Sequence, residues 1–393
     1  MQLDKEVQFA TREQELLLQA AILEGEDAIS AWQQWKSIVD LEGHHDNGSY
    51  RLLPLLYKNL QRYGVEEPFM ERLKGIYRLE WYKNQRLFYE MNKVLKYLHD
   101  AGIQTMILKG AALTVLIYKN YSVRPMADID ILVPISQISL TINLLKDAGW
   151  TPTTDSIDGN LRYQHSMQFR DQFGKELDLH WHPFFESCGN NSDRDFWERS
   201  VSIQLADVST LALNPTDTLL HVVVHGAMWN PEPPIRWIAD AMSLINSSDK
   251  EIEWTRFINQ AEKHKVVLRV KEALHYLQDK FQACIPMSIM DKINQIPISF
   301  TERLEYRYPR ETPDTISNTF VGKLLGGFPR YLVIYLRLTN STGLLRKITG
   351  LPRYLQYRLH AKSLHALFFY LISRNIRITK NKLSSRLRAN NSR

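Results

Sequence analysis

Cysteine is nearly absent. Cys188 and Cys284 are the only two in 393 residues, they stand far apart, and no CxxC spacing occurs. A disulfide framework and a cysteine metal site are therefore excluded, and a reducing compartment is expected. No apolar run is long enough to span a bilayer; the longest near the C-terminus, Leu364 to Ile372, has a histidine inside it. The opening MQLDKEVQFATREQE mixes charges where a signal peptide would be apolar. A cytoplasmic protein is the expectation. Acidic residues are missing from the last fifth of the chain. From Thr315 onward there are 15 Lys and Arg and no Asp or Glu, so residues 1–314 carry 34 basic against 43 acidic side chains, a balance of −9. The net charge of +6 thus describes the tail, not the body. Internal repeats and low-complexity stretches are also lacking. A hydrophobic content of 44% with 23% charged residues excludes a disordered chain, and the length suits two or three domains.

Residues 8–99 place apolar side chains at three- and four-residue spacing in ELLLQAAIL, RLLPLLYKNLQRYGV and YRLEWYKNQRLFYEMNKVLKYLHDAG. The spacing predicts an N-terminal helical subdomain over 1–100, with Gly102 as the C-cap of its last helix. Tyr77, Trp81, Phe88 and Tyr89 recur at helical intervals and read as core. An α/β core over 101–212 follows, then a helical domain over 213–312. Residues 313–393 form a basic tail in which GGFPRYLVIYLRL, LLRKITGLPRYLQYRL and SLHALFFYLISRNIRITK alternate large apolar residues with Lys and Arg. Such amphipathic basic helices suit an anionic membrane surface or a partner groove, and the last dozen residues are expected to fray.

The chemistry concentrates in IQTMILKGAALTVLIYKNYSVRPMADIDILV, residues 103–133. An apolar run reaches a Lys109-Gly110 turn, a helical segment follows, and a second apolar run contains Asp128 and Asp130 one residue apart. In a strand these two carboxylates share one face while Ile129 and Ile131 take the other. Two acids held so close repel each other unless a cation lies between them, so the pair asks for a divalent metal. A glycine at a strand end lets a phosphate approach backbone N–H groups at the start of the next helix. Phosphate cradle and metal-binding strand together are what nucleotidyl transfer needs. Downstream, Tyr163 to Arg170 and Lys175 to His182 read as a strand pair about a turn at Asp171-Gln172-Phe173-Gly174. Asp178, His180 and His182 fall on one face of the second strand.

Leu108-Lys109-Gly110, Tyr118, Arg124 and Asp128-Ile129-Asp130-Ile131-Leu132-Val133 resemble the core of the uncharacterised bacterial nucleotidyltransferases of the polymerase-beta-like superfamily. Asp178-Leu179-His180-Trp181 fits the same pattern. The resemblance implies an α+β fold, a small mixed sheet flanked by N-terminal and C-terminal helical regions. It implies Mg2+-dependent transfer of a nucleoside monophosphate from its triphosphate to an acceptor hydroxyl, with release of pyrophosphate. Asp128 and Asp130 would hold two Mg2+ ions, Asp178 would complete the second ion's shell and accept the acceptor's proton, and Lys109, Gly110, Ala111 and Arg124 would face the nucleotide. The superfamily usually has Gly-Ser or Gly-Gly where this chain has Gly110-Ala111, so backbone N–H groups and Lys109 must do the work of a missing hydroxyl. For Arg124 a salt bridge ordering the loop before Asp128 is an equal alternative. His180 and His182 are expected to position the site, because neutral imidazole suits zinc better than Mg2+. His221 and His225 lie one helical turn apart, but Val222 stands where a zinc-protease helix needs glutamate. With Asp217, Arg236 and Asp240 they resemble the family's downstream H-x-x-x-H and R-W-x-x-D pattern, read either as a buried polar network or as an acceptor site. The acidic balance of residues 1–314 favours a small molecule or a protein over nucleic acid as acceptor. Two other readings fit the residues: a nucleotide-binding module without turnover, and a membrane-surface accessory protein of polysaccharide or peptide biosynthesis acting through residues 315–393.

Overall fold

Short apolar runs bounded by turns build a seven-stranded mixed sheet in the computed structural model, which describes residues 9–41, 43, 45–154, 156–188, 193–227, 234–247, 251–300, 302–303, 331–339, 344–359 and 363. The strands are β1 (Met106–Ile107), β2 (Asp128–Leu132), β3 (Thr151–Pro152), β4 (Ser166–Arg170), β5 (Glu176–His180), β6 (Val201–Leu205) and β7 (Val208–Ala212), in the order β3-β4-β5-β2-β1-β7-β6. β2 runs parallel to β5 and antiparallel to β1, and β1 runs parallel to β7. Helices surround the sheet, giving the α+β class that the sequence predicts. Asp171 closes the β4–β5 hairpin by accepting from the N–H groups of Phe173 and Lys175, with Gly174 at φ +77°. The strand predicted from Tyr163 begins only at Ser166, because Ile157–Tyr163 is a helix. The β6–β7 hairpin has no counterpart in the sequence reading.

Residues 1–302 form one compact unit and 303–393 a second. Within the first, the pleat of β1 and β2 divides their side chains between two hydrophobic clusters. Ile107, Ile129 and Ile131 join Leu177, Leu179 and Phe169 against Leu95 and Leu98 of the helix Phe69–Asp100. Met106 and Leu132 face the other way, into a cluster shared by N-terminal helices (Leu17, Trp32, Leu56) and later ones (Leu220, Ile238, Leu274). Strands buried on both faces read as continuous apolar runs, and any polar group on them must find a partner.

The helix Phe69–Asp100 corrects one expectation. Trp81 is 50% and Tyr89 63% exposed, so neither is core. The helix is rotated to bury Asn84, whose amide donates to the carbonyls of Tyr121 and Arg124, and this turns Trp81 and Tyr89 outward. Tyr77 packs against Tyr57, and Phe88 meets Tyr121 edge-on.

In the second unit, 331–338 and Leu344–Arg358 are helical. Tyr335 stacks on Tyr354 with centroids 5.1 Å apart and donates its hydroxyl to the carbonyl of Lys347. Most of the tail on which the membrane-surface reading rests lies outside the described residues. Among those described, no helix is long and apolar enough to cross a membrane.

Pro215–Gly226 and Arg236–Ile245 cross at Gly226, where a Cβ would collide with the Cβ and Cγ of Trp237. Gly226→Ala is expected to destabilise the first unit by about 1–3 kcal/mol, the cost of overpacking a filled core. Urea unfolding measures this directly, and an unchanged midpoint would contradict the close crossing.

Candidate active site

The parallel register of β2 and β5 sets Asp130 beside Asp178 and Leu132 beside His180. Asp130 and His180 are buried. His180 Nε2 lies 3.1 Å from Asp130 Oδ1, so its N–H donates to the carboxylate, and the positioning role predicted for this histidine is chemically consistent. Lys109 completes the group from the far end of β1, with Nζ 2.5 Å from Asp130 Oδ1 and 4.0 Å from Asp178 Oδ2. Its φ of +45° places it in the left-handed region, where residues with side chains seldom sit. Strain of that kind, about 1–3 kcal/mol, persists where the surroundings fix it, and here the fixed partner is a buried carboxylate.

Charge at the cluster does not balance. Burial alone would push Asp130 up, yet Lys109 and His180 hold it far below the usual carboxylate range. Burial works against the Lys109 ammonium too, but Asp130 overrides it and raises its pKa. At Asp128 and Asp178 burial and the nearby Asp130 charge outweigh the pull of Lys109 and push both upward. Three carboxylates thus meet one ammonium, leaving room for further positive charge. Ligand atoms of Asp130, Asp178 and His180 all lie within 4.8 Å of one another, with Asp128 outside that group. With His180 Nε2 donating to Asp130, the carboxylate oxygens remain as the donors, and these fit a divalent cation such as Mg2+ or Mn2+. The residues present therefore fit a metal.

Arg124 turns away from the acids. Its Nε and Nη2 form a bidentate pair with Asp240, with Nη2 2.8 Å from Oδ2, and Tyr118 donates its hydroxyl to the same carboxylate at 2.8 Å. Arg236 stands 3.7 Å from Asp240 and donates to the carbonyls of Arg51 and Val123. Of the two readings open for Arg124, this geometry is that of the loop-ordering salt bridge. It also explains Gly110: a Cβ there would collide with Arg124 Nη1 and approach Met126 Sδ to 2.7 Å. The glycine is required for packing whether or not phosphate binds. Ala111 is buried just behind it.

The histidines divide. His182 pairs through Nδ1 with Asp193 instead of turning to the acids. Asp217 pairs with Arg256 at 2.7 Å, joining two helices of the same unit, and does not engage the histidines. His221 and His225 sit with ring centroids 6.2 Å apart. His225 is solvent-exposed, whereas His221 is buried. His165, which the sequence reading passed over, lies with its ring tilted at 57° to that of His180, centroids 5.4 Å apart, and its carbonyl accepts from the N–H of Trp181 and of His182. Nothing in its local sequence distinguishes it from any other residue of the strand approach. Arg51, also missed, is discussed below.

Burial pushes His165 and His221 well below the usual imidazole range, and His225 and His264 down to about 4. A folded pKa below the unfolded one means that the unfolded chain binds more protons between the two values, so stability is full above pH 6.5 and is lost as pH falls toward 4. Of these, the buried imidazoles of His221 and His264 each add a slope of up to roughly 1.4 kcal/mol per pH unit across that window. Melting temperatures measured from pH 7 to pH 4 should fall steeply below 6.5; a flat profile would show that these rings are protonated in the folded protein.

Residues 47–282, more than half of the chain, match the model of a family described as uncharacterised nucleotidyltransferase. A solved structure, an antigenic nucleotidyltransferase-like protein from Paracoccidioides brasiliensis, aligns over 52% of this chain and 92% of that one, at 15% identity and a TM-score of 0.34. No curated protein matches the sequence. The acidic cluster of β2 and β5 and the Arg124–Asp240 network both lie inside the matched span, and the chain belongs to this family of uncharacterised nucleotidyltransferases.

Proposed function

We propose that the protein transfers a nucleoside monophosphate from a nucleoside triphosphate to the hydroxyl of an acceptor, releasing pyrophosphate. The observation that carries this reading is the cluster of buried Asp130 with Asp178 on the adjoining parallel strand and Lys109 from the turn after β1, with Asp128 beside it. Asp130, Asp178 and Asp128 would hold the divalent cation, which when bound neutralises phosphate charge and acidifies the acceptor hydroxyl. His180 keeps Asp130 oriented through the Nε2 hydrogen bond. Asp178, whose pKa burial and Asp130 push upward, is suited to take the acceptor's proton as its oxygen attacks the α-phosphorus and the bond to pyrophosphate breaks. Lys109, drawn between Asp130 and the phosphates, offsets negative charge on the β- and γ-phosphates, together with the N–H groups of the Lys109–Ala111 turn. Arg124 acts through position, fixing the segment that leads into Asp128. The acceptor would bind near the exposed His225, and a small molecule or a protein side chain suits a surface whose body is acidic.

The test is thermal stabilisation by each ribonucleoside triphosphate with Mg2+ or Mn2+, followed by transfer of labelled α-phosphate. At a hundred times the dissociation constant, binding adds about 2.7 kcal/mol. Asp178→Asn is expected to abolish the metal-dependent shift, and Asp128→Asn to slow transfer by about 100-fold or more. No shift with any triphosphate would overturn the reading.

A further inference from the structure

Among the described residues three guanidinium groups gather near the segment that leads into β2, and Arg51 is the exposed one. Arg124 gives Nε and Nη2 to Asp240, and the buried Arg236 gives Nη1 and Nη2 to backbone carbonyls. Arg51 arrives from 77 residues upstream of Asp128, at the end of the short helix Asn47–Tyr50. Its backbone is fixed from both sides. Asp46 caps the turn by accepting from the N–H of Ser49 at 3.0 Å, and Arg236 donates to the Arg51 carbonyl. The side chain is solvent-exposed, and among the described residues its one polar contact is Nη2 on the carbonyl of Pro125 at 3.5 Å, too long to hold a guanidinium firmly. Among the described residues it pairs with no carboxylate. Asp128 and Asp240 draw on its charge from a distance, while burial of the surrounding surface and the adjacent Arg124 press its pKa down.

A fixed backbone, a free planar fork and a place on the rim of the acidic cluster form an oxyanion receptor, not a structural ion pair. We infer that Arg51 binds the terminal phosphates of the nucleoside triphosphate, as a specificity-determining residue for the polyphosphate tail. The inference rests on the transferase reading and names the part of the substrate that Arg51 recognises. Lys109 is committed to Asp130 and Asp178, and Arg51 is not, so the tail would meet a guanidinium that the acids do not hold. A guanidinium fork can take two phosphate oxygens in parallel, which Lys at the same position cannot.

Inorganic tripolyphosphate with Mn2+ is the probe, because it carries the tail and no base. Titration calorimetry on the full chain compares the wild type with Arg51→Lys and Arg51→Gln, and repeats each titration with Mn2+ alone and with nucleoside monophosphates. Tripolyphosphate affinity is expected to fall at least tenfold in Arg51→Gln and less in Arg51→Lys, with Mn2+ and monophosphate affinity unchanged. Tripolyphosphate bound equally well by Arg51→Gln would overturn the assignment alone. Equal losses for monophosphate and tripolyphosphate would also overturn it, by moving Arg51 to the α-phosphate or to the fold. A wild type that binds neither tripolyphosphate nor any nucleotide would overturn the transferase reading and this inference with it.

Discussion

One buried ammonium holds the site together. Asp130 lies on a strand whose flanking residues pack on both faces of the sheet, so its carboxylate has little water and must be met by protein. Lys109 and His180 meet it, at 2.5 Å and 3.1 Å. The interaction explains several features that otherwise look separate. It accounts for a lysine in the left-handed region at the end of β1, since that backbone conformation carries the ammonium to the acids. It keeps Asp130 ionised while its neighbours Asp128 and Asp178 are driven the other way. A site in which three carboxylates meet one ammonium, with their oxygens clustered, is an electrostatic preparation for a cation and a polyphosphate.

A second charged network ties the sheet to the helices that follow it. Asp240 receives Arg124, Tyr118 and the approach of Arg236, and Arg236 in turn clamps the carbonyls of Arg51 and Val123. Buried arrays of this type add little net stability compared with apolar packing, but removing one partner leaves an uncompensated charge. Their value here is geometric. Segments from residues 51, 124 and 236 are brought to the start of β2 within one unit, and the direction in which Asp128 and Arg51 present themselves depends on that arrangement.

Much of the site was legible because strand periodicity is simple. Asp128 and Asp130 one residue apart in an apolar run, with Ile129 and Ile131 between and after, could only put both acids on one face, and the structure has Ile129 and Ile131 in one core cluster. Asp178 was legible from its flanking leucines, although the parallel register that sets it against Asp130 is a long-range pairing that no local pattern encodes. The mixed sheet and the surrounding helices followed from the same patterns. What failed was orientation around a helix. Trp81 and Tyr89 have core-like spacing, but the polar Asn84 takes the buried position because two loop carbonyls need its amide. The β6–β7 hairpin is a local pairing about Ala206-Asp207 and was overlooked rather than hidden, whereas the contribution of Arg51 depends on contacts with segments distant in sequence.

The central claim is that Lys109 supplies part of the positive charge that a divalent cation can also supply. Melting temperature of Lys109→Met against the wild type, with and without Mn2+, tests it most directly. Without metal the variant leaves Asp130 buried with only His180 as partner and should melt lower. Mn2+ should then raise its melting temperature by more than it raises that of the wild type, because the ion enters the position the ammonium has left. A variant that melts lower and gains nothing from Mn2+ would show that the acids of β2 and β5 are a structural ion pair and would contradict the account.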